Sequence, residues 1–416
     1  VLALSGPTAC GGTGPHATAP TPKPPSTGRA APAPPGAALG LTEDNAQLLW
    51  NPAAAQGSTV AGFPAARGEL TALHPTYIRL LVDWARLQPD PSRPPALEAE
   101  VSGCVRELGP CAAYAGIAGE LAAIASQQRA DPGSFQVVLD ILGAPSWAAA
   151  PAHGCERPGD EAFARPLLAS GLAAYRTLIA DLLALGRRED VALRYWSPWN
   201  EPNDPRFITP QRASCDAASP AVSPAVYSSL AEAMAQELEA AGPGHELLLG
   251  ELGGYASGSA HRTSVGDFIA GLPAGVLCLG HIWAVHAYAV QGRAEPPDPV
   301  GLLEKALAAR GGCAADASIW VTEAGAGDAD PGRPRAGLPG EERRACEVLA
   351  EQVLGWESNP RVAAVFQFSF RDDPAFPVGL VSSDLSRAYP VYGMWRALAR
   401  ARRAGEQPPP LGRLCP

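Results

Sequence analysis

Eight short, largely apolar runs recur along this chain from Leu39 onward, with helical stretches between most of them. The runs cover residues 77–84, 135–142, 282–288 and 362–370, and others begin at Gly40, Val191, Leu247 and Ile319. Runs that are apolar on both faces suit strands covered on both sides, as in parallel sheets. Residues 163–186, 225–241, 300–310, 341–357 and 390–403 read as helices, and Leu70 to Leu73 belongs to a shorter one. Residues 112–129 carry Ala113, Ile117, Leu121 and Ile124 on a single stripe, the mark of a helix with one buried face. Strand–helix alternation predicts a parallel sheet covered by helices, and eight cycles predict its closure into an α/β fold, a (β/α)8 TIM barrel.

The barrel accounts for residues 39–404 as one domain, with 405–416 as a C-terminal tail. Residues 11–38 are Pro-rich and lack apolar periodicity, so they are expected to be a disordered tether. Residues 1–10 read as the remnant of a signal peptide running into a lipobox-like leader, with Cys10 as the acylated residue and a membrane tether as the consequence. No run of about 18 apolar residues is present, so no membrane-spanning helix is expected. A net charge of −10 argues against nucleic acid or an anionic membrane surface as a partner.

The chain has nine cysteines and no Cys-x-x-Cys, which weakens zinc-ribbon and thioredoxin readings. With Cys10 set apart, eight remain for four disulfides. Of roughly a hundred connectivities, the sequential one is preferred: Cys104–Cys111, Cys155–Cys215, Cys278–Cys313 and Cys346–Cys415. The alternative is a set of buried free thiols in a cytosolic protein. The disulfide reading places the protein outside the cytoplasm, extracellular or at the cell surface.

Two motifs carry the chemistry. Trp199-Asn200-Glu201-Pro202-Asn203 follows one strand run, and Trp320-Val321-Thr322-Glu323-Ala324-Gly325 closes another, with Glu323 lying 122 positions after Glu201. That spacing is three strand–helix units of about 40 residues, so if Glu201 closes strand 4, Glu323 closes strand 7. Two carboxylates at strand ends facing one cleft suit the breaking of acetals: one gives a proton to the departing oxygen while the other stays ionised. Arg79 is a charge inside an apolar run and needs a buried partner. His286 and Tyr288 are two apart on one strand and so share a face. Trp320 has opposite parity to Glu323 and is expected to point toward the helices.

With these residues in view, the chain resembles the retaining glycoside hydrolases of clan A, in particular the cellulase-like family five and xylosidase-like family thirty-nine branches. The resemblance covers roughly residues 39–403. It implies Glu201 as acid/base, Glu323 as nucleophile, Asn200 on the sugar 2-hydroxyl, Arg79 supporting the nucleophile, and His286 and Tyr288 lining the subsite. The acid/base must hold its proton until the bond breaks, which calls for partial burial beside a negative partner. Trp84 and Trp147 are candidate platforms for a sugar ring. Many clan members carry a Trp at the end of strand 8; this chain has Phe366-Gln367-Phe368-Ser369-Phe370, and Phe370 is expected to substitute.

The implied activity is a retaining β-glycosidase acting on an extracellular poly- or oligosaccharide, monomeric and needing neither metal nor cofactor. The alternative is a catalytically decayed carbohydrate-binding barrel, although decay tends to remove one carboxylate first and both are present. A serine esterase lacks its Gly-x-Ser-x-Gly elbow, because Gly254-Tyr255-Ala256-Ser257-Gly258 has the serine misplaced.

Overall fold

The computed structural model describes residues 36–43, 48–50, 65–98, 116–156, 162–290, 298–327, 335, 337–373, 376–383 and 385–415. Eight strands form a closed barrel in chain order: β1 (Ala38–Glu43), β2 (Tyr77–Asp83), β3 (Gln136–Leu142), β4 (Tyr195–Ser197), β5 (Glu246–Gly253), β6 (Ile282–Val290), β7 (Ser318–Gly327) and β8 (Val362–Phe368). Every pair is parallel, and β8 closes onto β1.

Helices Ile117–Ala130, Ala169–Arg188, Ser223–Ala241, Pro299–Arg310, Pro339–Glu357 and Pro390–Ala404 lie within a few residues of their expected positions. Two short helices between β5 and β6, Val265–Gly271 and Ala274–Leu277, were not legible as periodic segments. Among the described residues no helix is long and apolar enough to cross a membrane.

The barrel separates two cores. Outward-facing strand residues such as Ile78, Leu139, Leu249, Val285 and Val321 pack against the helices. Inside, Val138, Tyr195, Leu248, Ile282, Trp320, Ala364 and Phe366 fill the N-terminal half, with Ala38 and Tyr77 packed on them. Gly40 makes room for this plug, since a Cβ there would meet the Phe366 ring at 2.3 Å.

Trp320 therefore points into the barrel, not toward the helices. The parity argument fails because β7 is bulged: Val285 pairs with Val321, but His286 pairs with Glu323, so Thr322 is an extra residue. A similar shift interrupts β5 between Leu249 and Leu252. There Gly250 has φ +97° and lies against β6, where a Cβ would sit 2.7 Å from the Ala284 carbonyl oxygen. Its N–H donates to the Tyr227 hydroxyl at 2.8 Å, pinning the bulge from the helix layer.

Disulfides join Cys155 to Cys215, Cys278 to Cys313 and Cys346 to Cys415, three of the four expected pairs. Cys10 and the pair Cys104–Cys111 lie outside the described residues, as does most of the expected leader and tether. The Cys155–Cys215 bond links the loops that follow β3 and β4, at the barrel's C-terminal face. At the C-terminus, Leu411–Leu414 forms a helical turn and Cys415 is tied to the helix Pro339–Glu357.

Candidate active site

Above the apolar plug the barrel interior changes character. Arg79, two residues after Tyr77 on β2, is fully buried and spreads its guanidinium over four acceptor side chains. Its Nη1 donates to Glu323 Oε1 at 2.8 Å. Nη2 donates to Asp140 Oδ2 at 2.7 Å, Asn200 Oδ1 at 2.9 Å and Glu251 Oε2 at 3.1 Å, while Nε reaches Glu251 Oε1 at 3.3 Å. A buried guanidinium needs such partners, and the expected contact between Arg79 and Glu323 is among them.

His286 on β6 sits between the acids. Its Nδ1 lies 2.9 Å from Glu201 Oε1 and 3.3 Å from Glu323 Oε2, and Nε2 lies 2.9 Å from Glu251 Oε2. Burial opposes its charged form, but Glu323 and the hydrogen bonds to Glu201 and Glu251 outweigh it and push the imidazole up to about 10. It is therefore an imidazolium at neutral pH and donates from both nitrogens. Tyr288, on the same face two residues on, donates its hydroxyl to Glu323 Oε2. Burial, then Glu323 itself, pushes the phenol well above its ordinary range, so it keeps the proton it donates.

Glu201 follows the end of β4 with a left-handed backbone, φ +33°. It is 7% exposed, and its second oxygen, Oε2, accepts from Arg206 Nη2 at 3.2 Å. Oxygen atoms of Glu201 and Glu323 and a nitrogen of His286 all lie within 4.8 Å of one another. Three such ligand atoms could span a divalent cation. The donor set fits one poorly, because His286 is protonated and Glu323 already accepts from Arg79 and Tyr288.

Several participants were missed in the sequence. Glu251, displaced into the site by the β5 bulge, accepts from Arg79, His286, Ser197 Oγ at 2.6 Å and Thr322 Oγ1 at 2.6 Å. Burial alone would raise it; the charge of Arg79, then His286 and Ser197, hold it down at about 2. Asp140 on β3 goes the other way, raised well above the carboxylate range by burial against the pull of Arg79, with Glu251 and Glu323 adding to the rise. Both had a signal: an acid at or inside an apolar strand run, the same signal that singled out Arg79.

Two aromatic expectations need correction, those for Trp84 and Phe370. Trp84 is wholly buried in the turn after β2, edge-on to Trp147 at 5.7 Å, so it is core and not a platform. Trp147 is partly buried, with its Nε1 donating to the Gln88 carbonyl at 2.8 Å. Phe370 is also fully buried, against Tyr392 in the helix layer. Two other aromatics pack edge-on to Tyr288: Phe368, at the end of β8, at 6.2 Å, and Phe376 at 4.8 Å. Trp199 packs locally, its Nε1 donating to the Phe207 carbonyl at 2.7 Å.

No protein-family model matches this chain, and no curated protein sequence matches it. Solved structures do. SrfJ from Salmonella typhimurium is similar with a TM-score of 0.56 at 11% identity, over 88% of this chain and 74% of that one. A conserved exported protein from Bacteroides fragilis gives 0.54 at 13%, over 87% and 78%. A monomeric β-xylosidase from Caulobacter crescentus CB15 gives 0.52 at 14%, over 89% and 69%. At such identities the likeness is one of fold, and the barrel is what this chain shares with them.

Proposed function

We propose that the protein is a retaining β-glycosidase that hydrolyses the O-glycosidic bonds of a poly- or oligosaccharide. The observation that carries the reading is the pair Glu201 and Glu323, just past the end of β4 and on β7, with one carboxylate oxygen of each within 4.8 Å of the other. Retaining enzymes hold their two carboxyl groups about 5–5.5 Å apart, inverting ones about 6.5–9.5 Å. The barrels it resembles include a β-xylosidase and a glucosidase, which accords with this chemistry.

In this reading Glu323, paired with Arg79 and oriented by Tyr288, attacks the anomeric carbon. Glu201 gives its proton to the glycosidic oxygen as that bond breaks, leaving a glycosyl–Glu323 ester. Glu201 then takes a proton from water, whose oxygen bonds the anomeric carbon and releases Glu323. Asn200 has its Oδ1 engaged by Arg79, so its amide NH2 is presented to the sugar 2-hydroxyl. Burial, against the pull of Arg79, raises Asp140 well above its ordinary value, which favours the neutral form and so limits the negative charge gathered around Arg79. The three disulfides support an exported protein, and we take it to act as a monomer.

Hydrolysis of a panel of aryl β-glycosides by the wild type, Glu323→Gln and Glu201→Ala tests the assignment. Glu323→Gln should be inactive, and azide should restore turnover to Glu201→Ala with release of a β-glycosyl azide. Wild-type rates in Glu323→Gln would end it.

A further inference from the structure

We infer that Arg206 is a positioning residue that acts as a movable counter-ion of Glu201, withdrawn when the leaving-group side of the cleft is filled and returned when it empties. The inference rests on the glycosidase reading and adds to it a device for timing the proton.

The argument starts from the two oxygens of Glu201. Both are engaged by protonated donors, Oε1 by His286 Nδ1 at 2.9 Å and Oε2 by Arg206 Nη2 at 3.2 Å. A carboxyl that is to protonate a glycosidic oxygen must have one oxygen clear. His286 cannot yield, because it is 2% exposed and its other nitrogen is held by Glu251, itself fastened by Arg79, Ser197 and Thr322. Arg206 can yield, because its side chain is 64% exposed.

Arg206 also has an anchored partner to swing from. Its Nε donates to Asp204 Oδ1 at 2.9 Å, and its backbone N–H donates to the same oxygen at 2.9 Å. Asp204 is itself fixed: its side chain is 2% exposed, and Oδ2 accepts from the Tyr255 hydroxyl at 2.6 Å. Arg262 lies over the Tyr255 ring at 3.9 Å and approaches Asp204 at 3.9 Å. Rotation about the Asp204 contact frees Glu201 Oε2 without stranding the guanidinium.

The other charged and titratable groups facing Glu201 are His286 and Tyr288 on β6, Glu323 on β7, and Tyr255 after β5, with Glu251, Arg79 and Asp140 behind them. All but Tyr255 are locked into the buried network, which leaves Arg206, among the described residues, as the exposed cation on the acid/base. The two half-reactions need opposite states of Glu201. In the first it gives up a proton as the C–O bond breaks, and a leaving group against Oε2 displaces Arg206. In the second it must accept a proton from water at Oε2; with the leaving group gone the guanidinium returns beside the carboxylate, where its charge favours the ionised form, and the incoming water takes the Oε2 position from it.

The test compares wild type, Arg206→Gln and Arg206→Lys on 2,4-dinitrophenyl and phenyl β-glycosides of whichever sugar the wild type hydrolyses. The dinitrophenyl leaving group needs no proton, so turnover reports the second step. Arg206→Gln should lose roughly two- to fivefold in kcat on that substrate, the size of a half-exposed ion pair, mostly at the acid end of the profile. Its kcat/KM on the phenyl glycoside should hold or rise at the alkaline end, and Arg206→Lys should recover most of the loss. An unchanged dinitrophenyl profile, an equal loss on both substrates at all pH values, or an equal loss in both variants overturns the counter-ion role while leaving the glycosidase reading intact. No hydrolysis by the wild type overturns the reading, and the device with it.

Discussion

The two halves of the barrel interior are built from the same strands, often from residues two apart, yet they are held together by opposite physics. Tyr77, Val138, Tyr195, Ile282 and Phe366 fill the lower half with apolar and aromatic surface. Arg79, Asp140, Ser197 and His286, each further along four of those strands, fill the upper half with charged and polar groups. The lower half gains from leaving water, whereas the upper half would prefer water and persists only because each charge has a partner. On the proposed reading stability resides in the first and reactivity in the second, and they should respond differently to mutation and to pH.

The largest expected difference is in activity. Glu323→Gln should lower kcat by roughly 10⁴-fold or more, while circular dichroism shows an unchanged fold, since glutamine keeps the shape and an acceptor for Arg79. A folded Glu323→Gln variant with substantial kcat would dissolve the distinction between the halves.

Next comes stability. Trp320→Ala, in the plug, should destabilise by about 3–5 kcal/mol at any pH between 4 and 7. Arg79→Met strands Glu323 and Glu251 in the interior and should be destabilising by about 3–5 kcal/mol at pH 7, but less at pH 4, where the orphaned acids take up protons. Denaturant unfolding at the two pH values separates them, and a pH-independent loss in Arg79→Met would contradict the electrostatic account.

The intact upper half sets its own pH window. Glu251 is depressed from 4.5 to about 2, so its contribution is full above pH 4.5 and is lost as pH falls through 2. His286 is raised from 6.5 to about 10, so its contribution is full below pH 6.5 and is lost as pH rises through 10. Melting temperature should therefore be highest between about pH 4.5 and 6.5 and fall toward 10, and His286→Asn should flatten the alkaline fall. An equally steep alkaline fall in the variant would remove His286 from the account.

The smallest effect concerns the end of β8. Phe368→Ala should raise KM a few-fold on an aryl glycoside with little loss of stability. Phe370→Ala, fully buried, should destabilise by about 3–5 kcal/mol with KM unchanged in the folded fraction. Reversed effects would exchange their roles.

The barrel was legible in the chain because strands covered on both faces and helices with one apolar stripe leave distinct periods. Glu201, Glu323, Arg79, His286 and Tyr288 were legible because charged or polar residues in or beside apolar runs require an explanation. What escaped were consequences of local backbone geometry. The bulge in β7 changed the parity on which the outward placement of Trp320 depended, and the β5 bulge brought in Glu251, four residues after the start of the run at Leu247. Arg206 escaped for another reason: an arginine in a loop has no periodicity to mark it, and only its distance to Glu201 does so. The aromatic residues misled because Trp84 and Phe370 lie next to strand ends but turn into the helix layer, and sequence proximity does not encode that turn.

The central claim is double displacement across Glu201 and Glu323. Proton NMR of the first-formed sugar during hydrolysis of an aryl β-glycoside tests it most directly. The account predicts that the β-anomer appears first and then mutarotates; initial release of the α-anomer would contradict it.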